Sequence, residues 1–178
     1  MDIDRLVAES HRIAKEHGFW DPNPTTGATP CVQQTLALIN SESSEGLEAD
    51  RKNRHADLAE FDATDEAIDY KYRFETYIKD TYEDELADTC IRIFDLCGQR
   101  EIEFDLIPVT IKATCVAEEI LRIQQLICMA ELMPEVLLPV AVSYVFMVAV
   151  KRNIDIKRHI ELKMAYNERR GYKHGKQY

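Results

Sequence analysis

The 178-residue chain has no Asn-Gly hairpin dipeptide and no sustained alternation of apolar and polar residues. Both are signals of half-buried strands, so a hairpin-built sheet is excluded. Cysteine is scarce and odd in number: Cys31, Cys90, Cys97, Cys115 and Cys128, with no two in a C-x-x-C pair. That excludes a disulfide frame and a zinc site. Each lies in an apolar or helical stretch, so all five are expected as buried thiols in a reducing compartment. The N-terminus opens with Asp2, Asp4 and Arg5 and has no apolar h-region, so no secretory leader is expected and a cytoplasmic location is. Long apolar runs are also missing. Residues 136–150, VLLPVAVSYVFMVAV, are uncharged over 15 positions and closed by Glu135 and Lys151. A membrane span needs about 20. This run is expected to be a fully buried helix at a subunit interface, with no membrane partner.

What is present is an ordinary core composition, 46% hydrophobic, which excludes a disordered chain. Acidic residues exceed basic ones, 32 against 22, for a net charge of −10. That argues against a nucleic-acid polymer as partner, since such binding rests on Lys and Arg at phosphates. The charge is unevenly placed. Residues 151–178 hold nine Lys/Arg and three Asp/Glu, net +6, which leaves the first 150 residues at −16. On composition alone the basic segment reads first as a last helix that pairs with the acidic body or is merely solvated.

Apolar spacing predicts helices over 2–17, 31–54, 75–98, 112–132, 135–151 and 156–170. Residues 19–30 hold three prolines and a glycine and must be a loop. Residues 55–74 are expected as an acidic excursion with a partial helix, and 99–111 as extended. Asp155 suits a cap for the last helix. The expected fold is all-α: one domain over 1–178, a helical bundle of about five to six helices.

Two acidic pairs stand out. Glu42 and Glu45 are three apart on the second helix, and Glu85 and Asp88 are three apart on the third. Residues at i and i+3 share a helix face. Each pair adjoins apolar residues, LALI at 36–39 and Leu86, Ala87, Ile91 and Phe94. An unpaired charge at a core edge is costly, and a hard cation such as magnesium relieves it. The alternative is an acidic face in water, common in a chain with 32 acids. Near the end of the chain, His159, Lys163, Asn167 and Arg170 step by 4, 4 and 3 along one face, and Lys173, His174, Gly175 and Lys176 follow Gly171. Such donors suit an anion with several oxygens. The alternative there is a basic helix covering the acidic body.

These segments carry a resemblance. HRIAKEHGFWD (11–21), LINSESSEGLEADR (38–51), YEDELADTCIRIFDL (82–96) and HIELKMAYNERRGYKHGKQY (159–178) follow the order of elements in the MazG-like all-α nucleotide pyrophosphohydrolases. They cover about 60 residues. The final segment also resembles the phosphate-gripping tail of the related dimeric dUTP pyrophosphatases. The resemblance implies that Glu42, Glu45, Glu85 and Asp88 are catalytic and ligate magnesium, with manganese able to substitute. It implies that Lys163, Asn167, Arg170 and Lys176 hold phosphates. The implied reaction splits a nucleoside triphosphate between its α- and β-phosphates, with nucleotide-pool house-cleaning as the setting and a homodimer or higher homo-oligomer as the assembly.

From the residues themselves, Gln34 lies two turns before Glu42 and its amide suits a base edge. Phe19 and Trp20 suit stacking on a base or anchoring of the loop. Glu48 is a further candidate to activate water. Two features depart from the compact family pattern: the 39 residues from 46 to 84 between the motifs, and the apolar helices in 105–150. Two rival functions stand beside this one. One is a non-enzymatic oligomeric interaction protein. The other is a pyrophosphohydrolase acting on a diphosphate or a phosphoribosyl-nucleotide.

Overall fold

The computed structural model describes residues 2–103 and 105–175. Side-chain caps set where most helices begin, by accepting from an otherwise unsatisfied N–H of the first turn. Asp2 caps α1 (Ile3–Glu16). The segment α2 (Val32–Arg51) starts behind Cys31 without a side-chain cap. Asp57 caps α3 (Leu58–Ala63), Asp69 caps α4 (Tyr70–Tyr77) and Thr81 caps α5 (Tyr82–Gln99). Next come α6 (Val116–Met129) and α7 (Pro134–Lys151), and Asp155 caps α8 (Ile156–Glu168) as its sequence position suggests. A single turn over Tyr172–Gly175 follows, with Lys173 and His174 in left-handed conformation. Among the described residues there are eight α-helices and no strand. The all-α expectation holds.

The count of five to six does not: the 55–74 excursion supplies α3 and the start of α4 where one partial helix is expected, and the expected helix over 75–98 is two. Its N-terminal part belongs to α4, which stops at Tyr77; Asp80 turns left-handed at φ 58°, and Thr81 opens α5. Gly98 does not end α5 either. The helix passes through it and closes at Glu101, φ 54°, with Ile102 N–H donating to the Cys97 carbonyl at 3.0 Å. Asn53 and Asn153 close α2 and α7 the same way. Left-handed caps are usually glycine, so caps made by Glu and Asn are hard to read from sequence.

The central helix is α5, in contact with α1, α2, α7 and α8, while α6 packs on α2 and α7. Leu86, Cys90, Ile93, Phe94 and Cys97 of α5 are fully buried. Two glycines allow close approach. A Cβ on Gly98 would sit 2.6 Å from Cβ of His11, so α1 meets α5 there without a side chain between. A Cβ on Gly46 would sit 3.4 Å from Cβ of Glu85, so α2 lies close on α5 beside the acidic motifs. The long insertion between the motifs does not disturb this contact. Residues 55–81 leave and return at one point, where Tyr82 N–H donates to the Arg54 carbonyl at 3.0 Å. The excursion has its own small core of Phe61, Phe74 and Ile78, sealed by Leu162 and Tyr166 of α8.

Two further expectations are corrected. Cys90 and Cys97 are buried, but Cys31, Cys115 and Cys128 are exposed, because they sit at helix N-caps or on an outer face. The run 136–150 is not fully buried. Leu138, Ala141, Val142, Val145 and Val148 face the core, whereas Val136 and Val150 are 51% and 70% exposed. The helix α7 packs on α5 and α6, and the 105–113 segment lies on it through Ile107 N–H donating to Ser143 Oγ at 3.0 Å, so its large exposed apolar residues, Val136 and Val150, are at its two ends. By length and composition α7 is able to cross a membrane, but nearly half of it is buried within the bundle. Buried Glu119 ties α6 to α7 through Lys151 Nζ at 2.8 Å and Arg152 Nε at 2.6 Å.

Candidate metal centre and ligand cavity

Gly46 lets α2 and α5 approach, and at that crossing the acidic motifs converge. Candidate ligand oxygens of Glu42, Glu45 and Glu85 lie within 4.8 Å of one another. Glu42 and Glu85 are buried and Glu45 is exposed, so the group opens to solvent on one side. An all-carboxylate set is a hard oxygen site of the kind magnesium and manganese take. Burial pushes the Glu85 carboxyl up to about 9 against the pull of Lys163, with Asp84, Asp88 and Glu42 adding to the rise. A cation among these acids would oppose that push and favour the ionised form.

Asp88, the fourth expected ligand, is outside that group of three. Its Oδ2 is 3.2 Å from Nζ of Lys163. Burial acts to raise its carboxyl, but Lys163, Arg92 and Arg170 outweigh this and hold it below the ordinary range. Lys163 is 5% exposed and also 2.8 Å from Oδ2 of Asp84, which is wholly buried. Burial opposes its charge, while Asp88, Asp84 and Glu85 keep it protonated. The structure therefore puts Lys163 inside the carboxylate cluster as its counterion, not on an open phosphate-facing surface. His159, on the same face, is buried in the bundle with the helix.

Beside the cluster is a cavity of about 90 Å³ between α1, α2, α5, α8 and the 19–30 loop. Gln34, Asn167 and Arg170 line it, together with Asp88, Phe19 and Trp20. It adjoins a second, wider hollow of about 420 Å³ that shares Phe19, Pro30, Gln34 and Leu38 and includes Lys173. Trp20 is anchored: its Nε1–H donates to Asp95 Oδ1 at 2.8 Å, and His11 Nδ1 meets the same oxygen at 2.8 Å. Phe19 packs edge-on against His174 at 5.0 Å.

The end of the chain is held against the first helix. His17 Nε2 meets the Arg170 carbonyl at 2.8 Å, and Lys173 N–H donates to the His17 carbonyl at 2.8 Å. The hydroxyl of Tyr172 donates to Asp21 Oδ2 at 3.0 Å, with its ring over Gly18, where φ is 77° and a Cβ would overlap the ring. These contacts bring Arg170 and His174 to the cavity wall. Lys176 lies outside the described residues. Glu48 is exposed and pairs with Arg51.

Three residues of this site are not among the motif positions. Arg92 Nη2 donates to Glu42 Oε1 at 2.6 Å; Asp84 takes Lys163; Asp95 holds Trp20. For Arg92 and Asp95 the signal in the sequence is the stripe 85, 88, 92, 95, which steps by 3, 4 and 3 along one helix face; Asp84 stands one turn before Asp88. The class of protein defined so far is an all-α helical bundle with a carboxylate cluster opening beside a cation-edged cavity. Compared with protein-family models, curated proteins and solved structures, the chain matches none of them.

Proposed function

We propose that this protein is a magnesium-dependent nucleotide pyrophosphohydrolase of the MazG-like all-α type, cleaving a nucleoside triphosphate to its monophosphate and pyrophosphate. One observation carries the reading: carboxylates from two helices, Glu42 and Glu45 on α2 and Glu85 on α5, converge within 4.8 Å beside a cavity edged by Arg170 and Asn167. Solvated acids gain nothing from such convergence, since like charges at this range repel.

The donor set fits magnesium, with Glu42, Glu45 and Glu85 as ligands and Asp88 one turn further along α5. When bound, the ion lowers the pKa of a coordinated water and offsets charge on phosphoryl oxygens. The chain's own residues do the positioning. Arg170 and Asn167 hold phosphoryl oxygens in the cavity, and the Gln34 amide faces the base. Lys163 keeps Asp88 ionised and in place. Glu45 is the exposed carboxylate of the cluster, with Oε1 accepting from Ser41 Oγ at 3.3 Å, and is suited to accept a proton from attacking water. Phe19 and Trp20 wall the cavity and exclude solvent from it.

The test is pyrophosphate release with magnesium across a panel of nucleoside triphosphates, diphosphates and phosphoribosyl-nucleotides. Release from one substrate supports the reading, and none from any member of the panel removes it. Glu45→Gln should lose at least about 100-fold in turnover while keeping its helical signal. Unreduced turnover in that variant would show that the ligand set is wrong.

We also propose a homodimer. Leu132, Met133, Val136 and Val150 expose apolar surface along α7 and its lead-in. Glu135 stands at one end of α7 and Lys151 at the other. A two-fold pairing of α7 with its copy covers these apolar residues, with Lys151 remaining on Glu119. Sedimentation velocity at micromolar concentration should give a dimer; monomer alone overturns this part. The same apolar surface is what favours the rival non-enzymatic interaction protein, and the substrate panel separates the two.

A further inference from the structure

Arg92 stands between the carboxylate cluster and the cavity. Its Nη2 is fixed by Glu42 at 2.6 Å, and its Nε is buried with no hydrogen-bond partner. A guanidinium carries five N–H donors in a planar fork. A buried donor left without an acceptor costs free energy, so such atoms call for an explanation. Arg92 lines the cavity with Asp88, Asn167 and Arg170. Asn167 is also buried there, and its Oδ1 has no partner either. Around one cavity Arg92 Nε–H is a donor without an acceptor and Asn167 Oδ1 an acceptor without a donor, which marks a place built for a polar ligand; the Arg92 donor is the one that an anionic oxygen satisfies.

The other cations sort by what already holds them. Lys163 is consumed by Asp84 and Asp88. Arg92 gives Nη2 to Glu42 and keeps its Nε–H without an acceptor, which suits an anionic oxygen brought into the cavity. We infer that Arg92 is a ligand-binding residue of this cavity, with Glu42 setting the guanidinium in place and Nε–H donating to a phosphoryl oxygen. The inference rests on the polyphosphate reading of the cavity and adds a residue outside the tail to it. It also makes Glu42 serve two partners, the metal through its carboxylate and the ligand through Arg92.

The experiment is calorimetric titration of inorganic pyrophosphate into the full chain at saturating magnesium, with wild type, Arg92→Met, Arg92→Lys and Arg122→Met compared. Arg122 lies on α6 and removes the same charge away from the cavity. Arg92→Met should weaken binding by about 10- to 100-fold, the usual effect of losing a hydrogen bond to a charged group. Arg92→Lys should recover only part, because it keeps the charge and loses the fork. Arg122→Met should bind as wild type does. Wild-type affinity in Arg92→Met overturns the assignment and leaves the cavity a phosphate site. Absence of binding in the wild type overturns the polyphosphate reading and this inference together. If melting curves show Arg92→Met unfolded, Arg92→Lys decides, with unchanged affinity counting against the inference.

Discussion

Nζ of Lys163 lies 2.8 Å from Oδ2 of Asp84, both side chains buried where α8 crosses α5. The same Asp84 oxygen accepts from the Asp80 N–H at 3.0 Å, and Oδ1 has no partner. Removing one partner of a buried pair leaves the other as an uncompensated charge, at a cost of about 3–5 kcal/mol. Lys163→Met should therefore lower the urea midpoint strongly. Adding Asp84→Leu to it should restore only part of the loss, since one stranded charge is then removed while Asp88, 3.2 Å from Lys163 in the wild type, still lacks its counterion. A Lys163→Met protein as stable as wild type would mean that the pair is not desolvated as described.

Two substitutions in one turn of α5 should act in opposite directions. Gly98→Ala forces a Cβ to 2.6 Å from Cβ of His11, an overpacking that costs about 1–3 kcal/mol. Glu101→Gly relieves a left-handed backbone at φ 54° and should stabilise by about 1 kcal/mol. For a chain of this size each kcal/mol moves the melting temperature by about 2–4 °C. Differential scanning calorimetry reads both signs, and a stabilising Gly98→Ala would contradict the close helix contact.

His174 makes the attachment of the chain end acid-sensitive. Burial, then Arg170 and His17, hold its imidazole down to about 3, against an ordinary 6.5. Between those values the unfolded chain binds the proton and the folded one does not. The contribution to stability is complete above about pH 6.5 and drains away as pH falls toward 3. His174→Phe keeps a ring against His17 and Phe19 and removes the titration. From pH 6.5 down to 4 the wild type should lose more unfolding free energy than this variant; parallel curves would count against a neutral buried His174.

Magnesium should raise the melting temperature of the wild type in proportion to the logarithm of its concentration once the site is saturated. A ligand at 100 times its dissociation constant adds about 2.7 kcal/mol. Glu45 is exposed, so Glu45→Gln should melt near wild type without metal and gain much less with it. An equal gain in both proteins would remove Glu45 from the ligand set.

The helix faces were readable because they depend on local spacing: Glu42 with Glu45, Glu85 with Asp88, and the Asp155 cap all follow from adjacent residues. What the helices do to each other was less readable. Lys163 sits on the same stripe as Asn167 and Arg170, yet α8 lies so close to α5 that its ammonium is enclosed by Asp84 and Asp88, while the other two reach the cavity. The ion-pair partner of Arg92 is not on its own helix but is Glu42 on α2, which local spacing does not show. Helix ends were misread wherever Asp80 or Glu101 takes the left-handed position that glycine usually marks. The break at Asp80 depends on the packing of Phe74 and Ile78 with Tyr166, contacts about 90 residues apart.

The cavity wall is contributed by both early and late parts of the chain. Arg170 and His174 close it against His17, Phe19 and Gln34, and nothing nearer in sequence replaces them. During synthesis α1, α2 and α5 emerge first, so the acidic crossing can form with Arg92 on Glu42 before Lys163, Asn167 and Arg170 arrive. At about 5–20 residues per second, α8 trails α2 by a lag on the order of 10 s. Over that interval the nascent chain carries its charge imbalance bare, with Asp84 and Asp88 awaiting Lys163. The basic segment is thus a late-arriving counter-charge, and the cavity is complete only once that segment has emerged and packed on α5.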